Sequence, residues 1–255
     1  MIGQLQQENL ASGRSGPAFH ALSRPPEAEI RAIDQVIELS ARTRCPVYVV
    51  HISTRRGAEL GADGKRAGIQ VFGETCPHYL LLDNSRYDPE LSDDLILPYI
   101  ISPPLRTRDD QQGLWEALAD GTLDVVATDH CPFHLRGQKE RGRYDFTRIP
   151  NGAGGIEHRL GLLYTFGVKS GKISWNRFSE LVSWNPARIF GIAHETGKLE
   201  PGLMADLVVW NPEIQHVISV SSHYSLCDND IFEHFICEGR AEAVFVAGEK
   251  LVFET

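Results

Sequence analysis

Three points in the chain place reactive polar side chains directly after short apolar runs. Leu123 to Ala127 is apolar apart from Asp124, and it breaks into Thr128, Asp129, His130 and Cys131. Pro46 to Val50 ends in His51, Ile52 and Ser53, and Ile69 to Phe72 ends in Gly73, Glu74, Thr75 and Cys76. Carboxylates, imidazoles and thiols are the groups that bind metal ions or carry protons. Each also has a plainer use. A histidine after a strand often only satisfies a structural hydrogen bond, and an aspartate there often caps the next helix. Repetition at three tips points to a metal or acid–base site.

The apolar runs read as buried strands. In α/β proteins the carboxyl ends of such strands are where ligands bind. The segments between them read as helices. Pro25 and Pro26 open one, with Glu27 and Glu29 near the positive end of its dipole and an apolar period through Ile30, Ile33, Val36 and Ile37. Arg55 to Ala67 is the next, weakened by Gly57, Gly61 and Gly64. Thr107 to Asp110 has the form of a capping box before a helix over Asp109 to Ala119, and Gly121 ends it. Leu5 to Leu10, Ile156 to Phe166, Trp175 to Ser183 (capped by Ser174) and Pro186 to Phe190 are further helices. The long, charged, glycine-rich connection from Cys131 to Gly155 reads as a lid over the Asp129 tip.

From about Gly197 the period changes. Ala205 to Trp210 and Ala243 to Ala247 read as strands, with Gly248 and Glu249 turning into a hairpin partner over Lys250 to Phe253. This tail is too small to hold a core alone and needs a partner sheet. Residues 1–196 and 197–255 are therefore expected to be two domains. Only about three strand–helix units precede the tail, whereas a closed (β/α)₈ barrel needs eight.

Composition narrows the possibilities. A net charge of −9 with interspersed signs, and no basic run, argues against a nucleic-acid surface. No apolar stretch is long enough to span a membrane, and the polar N-terminus lacks the form of a signal peptide. Cys45, Cys76, Cys131, Cys227 and Cys237 are odd in number and scattered, so neither a disulfide framework nor a zinc ribbon is indicated. A reducing cytoplasm is the expected setting.

Several blocks together resemble the hydantoinase/dihydropyrimidinase branch of the cyclic amidohydrolases. They are YVVHIS (Tyr48–Ser53), GETCPHYLLLD (Gly73–Asp83), SPPLR (Ser102–Arg106), ATDHCPF (Ala127–Phe133), GQKERGRYDFTRIPNG (Gly137–Gly152), NPARIFG (Asn185–Gly191) and GKLEPGLMADLVVWNP (Gly197–Pro212). HALSRPP and the DNDIFE of Asp228–Glu233 also fit. The resemblance covers almost the whole chain, in order. It implies the C-terminal part of a (β/α)₈ barrel followed by part of a small β-sandwich. It also implies metal-dependent hydrolysis of a cyclic amide, such as a hydantoin or dihydropyrimidine, with two zinc ions in the complete site.

By the same resemblance His51 is a metal ligand, and Asp129 is both a metal ligand and the catalytic proton carrier. Ser102 and Asn151 hold the cyclic amide through their backbone groups, and the protein is a homo-oligomer, commonly a tetramer. The family's other ligands, an HxH pair, a carboxylated lysine and one more histidine, have no counterpart. No two of the ten histidines sit two apart, and no lysine precedes His51. Glu74, Cys76, His78, His130 and Cys131 lie near strand tips as further donors, while His20, His134, His158, His194, His216, His223 and His234 read as surface or loop residues. Two functions are expected: the C-terminal part of a cyclic amide hydrolase, inactive alone, or a non-catalytic scaffold like the dihydropyrimidinase-related proteins. An incomplete barrel would leave open strand edges, and hence poor solubility or obligate association.

Overall fold

The computed structural model describes residues 1–251. Helix α1 (Ile2–Ala11) leads into α2 (Pro26–Thr43), which begins with Pro26 at its first position and has Glu27 and Glu29 in its first turn. Strand β1 (Val47–Val49), helix α3 (Arg55–Arg66), strand β2 (Val71–Thr75), the short helices α4 (Pro77–Leu81) and α5 (Asp93–Ile96), helix α6 (Arg108–Asp120) and strand β3 (Val125–Val126) follow. The strands pair in parallel in the order β1-β2-β3, with Val47 opposite Val71 and Glu74 opposite Val125. All three expected strand–helix units are present. β1 and β3 are shorter than their apolar runs. β2 is shifted forward to Thr75, because Gly73, Glu74 and Thr75 all take part in its ladders.

Helix α3 forms despite its glycines, and two of them explain why they are there. A Cβ on Gly57 would lie 2.9 Å from Ile33, and one on Gly64 3.2 Å from Ile37, so bare backbone lets α3 lie close against α2. The capping box of α6 is present, with the Thr107 side chain taking the Asp110 N–H and the Asp110 carboxylate taking the Thr107 N–H, and Gly121 closes the helix at φ +90°. Asp124, the one charge in its apolar run, is buried and satisfied: its carboxylate accepts from Lys65 Nζ at 2.7 Å and from Gly73 N–H at 2.8 Å.

The later helices differ from expectation. Helix α7 (Arg159–Leu163) starts after Ile156 and runs on as a π-helix over Tyr164–Lys169. Helix α8 (Trp175–Ser179), capped by Ser174, becomes a π-helix over Glu180–Trp184 before α9 (Asn185–Ile189). The core beneath is continuous, from Ile33 and Ile52 through Leu97, Leu114, Leu118 and Val126 to Leu162, Leu181 and Phe232.

The tail is an antiparallel sheet of β4 (Leu207–Val217), β5 (Ile236–Val246) and β6 (Glu249–Leu251) in that order. β4 is longer than expected because a register shift between Asn211 and Gln215 accommodates Pro212, which has no N–H for a ladder. The expected partner strand over Lys250 to Phe253 starts at Glu249, and its last two residues lie outside the described ones. Val208, Val209, Val217, Ile236 and Val246 remain exposed. No helix of the described residues is long and apolar enough to cross a membrane.

Candidate active site

His51 and Asp129 occupy equivalent positions. Each follows its strand, β1 or β3, and each has a left-handed backbone, with φ +43° and +46°. β2 lies between them and ties both tips: Ile52 N–H donates to Glu74 O at 2.7 Å, and Ala127 N–H to Thr75 O at 3.0 Å. Thr75 Oγ1 also donates to Ile52 O at 2.7 Å.

The residues after His51 are held by Glu29 of α2. Its carboxylate accepts from Ser53 N–H at 3.0 Å, Thr54 N–H at 3.1 Å and Thr54 Oγ1 at 2.9 Å, and also from Ser53 Oγ. Arg106 completes the network, 3.5 Å from Glu29 and donating to Ser53 Oγ at 3.0 Å and to Arg24 O at 2.8 Å. Both charged side chains are buried, so the last residue of SPPLR fixes the turn after His51.

Ser102 and His51 face one apolar groove of about 430 Å³, which runs along β1 and α2 past Ile33, Val36 and Arg106. Ser102 is exposed, and the carbonyl of its neighbour Ile101 accepts a 2.8 Å hydrogen bond from His20 Nε2. His20 lies in a loop, as the sequence suggests, but it is wholly buried and not at the surface. Burial first, then the charge of Arg24, lowers its pKa to about 3, so it serves as a neutral donor.

The turn that holds Asn151 leads into residues that pair with those just after Asp129. Cys131 N–H donates to Ala153 O at 3.0 Å, and Ile156 N–H donates to His130 Nδ1 at 3.3 Å. Gly152 N–H donates to Ile100 O at 3.1 Å, which joins the Asn151 turn to the Ser102 segment. The Oδ1 of Asn151 is buried without a partner. The two expected substrate-holding residues therefore sit on segments joined by a hydrogen bond, Ser102 lining the groove with His51 and Asn151 next to residues that pair with those after Asp129.

The stretch from Cys131 to Gly155 is a packed strap and not an overhanging lid. Phe146, Ile149 and Ala153 are buried in the core, and Phe146 N–H donates to Ser15 O at 2.8 Å. Lys139 is 1% exposed, and its Nζ donates to Pro98 O and Ile100 O, both at 2.9 Å. Burial lowers its pKa to about 7.

The other tip residues sort by environment. Glu74 accepts the Tyr48 hydroxyl at 2.5 Å, and burial followed by that contact pushes the Tyr48 pKa up. Cys76 is fully buried, and burial followed by the charges of Glu74 and Asp129 pushes its thiol well up, which makes it a poor thiolate ligand. His78 is buried with Nε2 unpartnered, and burial, then His51, lowers its pKa to about 3. His130 and Cys131 are exposed.

Zinc asks for three or four protein donors per ion. His51 and Asp129 offer two donors, too few to complete such a sphere. Among the described residues no third donor gathers with them. The one group of three is His158, His223 and Asp230. Both histidines lie in loops, as expected, but not at the surface: His158 is 9% exposed, and the His223 side chain 3%. No spacing signals this group, because His158 lies 65 residues before His223 and 72 before Asp230, on a segment that meets theirs only after folding.

Residues 58–251 match the amidohydrolase family. The chain is 39% identical over 252 residues to a D-hydantoinase of Geobacillus stearothermophilus, covering 99% of this chain and 53% of that protein. It is 38% identical over 250 residues to a D-hydantoinase of Rhizobium radiobacter, covering 98% and 54%. The solved D-hydantoinase of Bacillus sp. AR9 superposes with a TM-score of 0.95 at 41% identity, covering 98% of this chain and 55% of that one. The dihydropyrimidinase of Brevibacillus agri gives 0.94 at 40% identity, covering 98% and 54%. The chain spans about half the length of the curated relatives it matches.

Proposed function

Because the chain belongs to the amidohydrolase family, in its hydantoinase/dihydropyrimidinase branch, we propose that it carries the C-terminal share of a cyclic amide hydrolase site. Its parallel layer is the C-terminal part of a (β/α)₈ barrel, and its antiparallel sheet is part of a small β-sandwich. The observation that carries the functional reading is the matched placement of His51 and Asp129, each left-handed at a strand tip on either side of β2.

In this reading the substrate is a hydantoin or dihydropyrimidine ring. Ser102 and Asn151 present backbone groups to its amide, and the Gly152-to-Ile100 bond sets their spacing. Asp129, exposed at its tip, takes the proton of the attacking water and delivers it to the ring nitrogen as the C–N bond breaks. His51 and Asp129 are the positions at which this chain would hold zinc, which polarises a carbonyl and acidifies water when bound. The remaining donors have to come from outside the described residues. The exposed valines of β4 and β5 and the open groove along β1 suit the chain to association, including self-association, in a reducing cytoplasm.

The test is ring opening of hydantoin and dihydrouracil, with bound zinc counted in parallel, on zinc-supplemented wild type, His51→Asn and Asp129→Asn. The expected result is less zinc per chain in both variants than in wild type and any wild-type turnover reduced at least about 100-fold, the lower end of a general acid–base contribution. Equal zinc and equal turnover in all three chains would overturn the assignment. A wild type with neither zinc nor turnover would favour the alternative, a non-catalytic scaffold that keeps the two tips as remnants.

A further inference from the structure

The segment from Ser219 to Phe232 crosses the start of α7 and is pinned there. The Glu157 carboxylate accepts from Tyr224 N–H and Ser225 N–H, both at 2.8 Å. Beside it, His158 Nε2 lies 2.8 Å and His223 Nδ1 3.4 Å from the same Asp230 oxygen, Oδ2. The three ligand atoms lie within 4.8 Å of one another, and the His223 and Asp230 side chains are 3% and 4% exposed.

The hydrogen bonds fix what each atom can offer. His223 Nε2 faces the Cys227 carbonyl at 3.2 Å, and a carbonyl only accepts, so Nε2 carries the proton. In neutral His223 the Nδ1 lone pair then points at a carboxylate oxygen. Two acceptors 3.4 Å apart and shielded from water repel unless a cation lies between them. Asp230 is already oriented, because its other oxygen accepts Phe232 N–H at 2.8 Å. An imidazole with its far nitrogen on a carbonyl and a carboxylate with its far oxygen on an N–H are the outer contacts that orient metal ligands.

We infer that His158, His223 and Asp230 form a binding site for a divalent transition-metal ion, zinc above all, that staples the Ser219–Phe232 segment to the start of α7. Bonds of about 2.0–2.2 Å from a tetrahedral ion put its ligand atoms roughly 3.3 Å apart. The His223–Asp230 separation of 3.4 Å already matches. The His158–Asp230 separation of 2.8 Å is that of a hydrogen bond, and it opens when the ion replaces the shared proton. His158 then holds its remaining proton on Nδ1 and turns the Nε2 lone pair to the metal. Two imidazoles and one carboxylate leave the fourth position to water. Nothing in this inference depends on cyclic amide hydrolysis, and its residues are not those of the strand tips.

The test is zinc bound per 255-residue chain after chelation and dialysis against zinc chloride, for wild type, His223→Gln, Asp230→Asn and His51→Asn. One equivalent is expected to disappear in His223→Gln and in Asp230→Asn and to persist in His51→Asn. Added zinc should raise the melting temperature only where that equivalent persists. Unchanged stoichiometry in His223→Gln and Asp230→Asn overturns the site and assigns the gap to a proton on His223. Copper and ascorbate oxidation of the wild type, mapped by peptide mass, decides the matter if both variants unfold. Damage at His158 and His223 is expected, and its absence there overturns the site. Failure of the strand-tip reading shows separately, as zinc that His51→Asn and Asp129→Asn do not lose.

Discussion

His51 and Asp129 stand two strands apart with nearly the same left-handed backbone, φ +43° and +46°. Non-glycine residues rarely adopt that conformation, though aspartate and histidine tolerate it better than branched residues. Strain kept at matching positions marks a place where side-chain chemistry outweighs local stability. Asp129→Gly should therefore melt no lower than wild type, while Asp129→Val should lose about 1–2 kcal/mol. Urea midpoints of the two variants measure the difference. Equal midpoints would remove backbone strain from the account.

Glu29 and Arg106 test how the His51 tip is held. Their side chains are 9% and 7% exposed, and Glu29 receives two backbone N–H groups as well as Arg106. Removing one partner of a buried pair leaves the other charge uncompensated, at a cost of about 3–5 kcal/mol. Arg106→Met should show that loss in a urea titration. The double variant Glu29→Gln, Arg106→Met should lose much less than the sum of the single changes, because they share one network.

His20 gives the fold a defined weakness to acid. Its folded pKa of about 3 lies below the ordinary histidine value of 6.5, so the unfolded chain binds the extra proton between those limits. Stability from this group is complete above pH 6.5 and falls as the pH drops toward 3. His20→Asn removes that slope. The wild-type minus variant difference in unfolding free energy should shrink steadily from pH 7 to pH 4, and a flat difference would contradict the buried neutral imidazole.

Lys139 carries the same sign at higher pH. With a folded pKa of about 7 against 10.5 unfolded, the folded chain holds fewer protons between those values. Its charged form is a cost below pH 7, and the cost is relieved as the pH rises toward 10.5. The stability of wild type relative to Lys139→Met should therefore increase from pH 7 to pH 9. Comparing the two chains cancels the buried thiols, such as Cys76, whose raised pKa acts in the opposite direction.

What could be read from the sequence was local. The capping box at Thr107 and Asp110, the left-handed Gly121 and the breaks after Val50 and Ala127 each show within a few residues. The gathering of distant groups does not. Glu29 looks like a favourable charge in a first helical turn, yet it receives the turn after His51, some twenty-four residues on. The proline-flanked His20 looks like a loop residue and is buried against Ile101. Asp230 sits inside a matching block, but nothing in that block points to His158, 72 residues away. The π-helical turns after α7 and α8 were equally hidden, because the apolar period there fits an ordinary helix.

Gly152 joins the two halves of the candidate site and gives the most local test of it. Its φ is +155°, and a Cβ there would lie 2.3 Å from the Cys131 carbonyl oxygen and 2.9 Å from Cys131 Cβ. Backbone that close cannot yield cheaply, and Gly152 N–H is also the bond to Ile100 that sets the Asn151 turn against Ser102. Gly152→Ala should therefore move the strap and not only strain it. The expected loss is about 2–3 kcal/mol, comparable to overpacking a core. Faster amide hydrogen exchange should appear at Cys131 and Gly152 while β2 keeps its protection. Exchange that quickens evenly across the chain, or not at all, would mean that the Asn151 turn is held by other contacts.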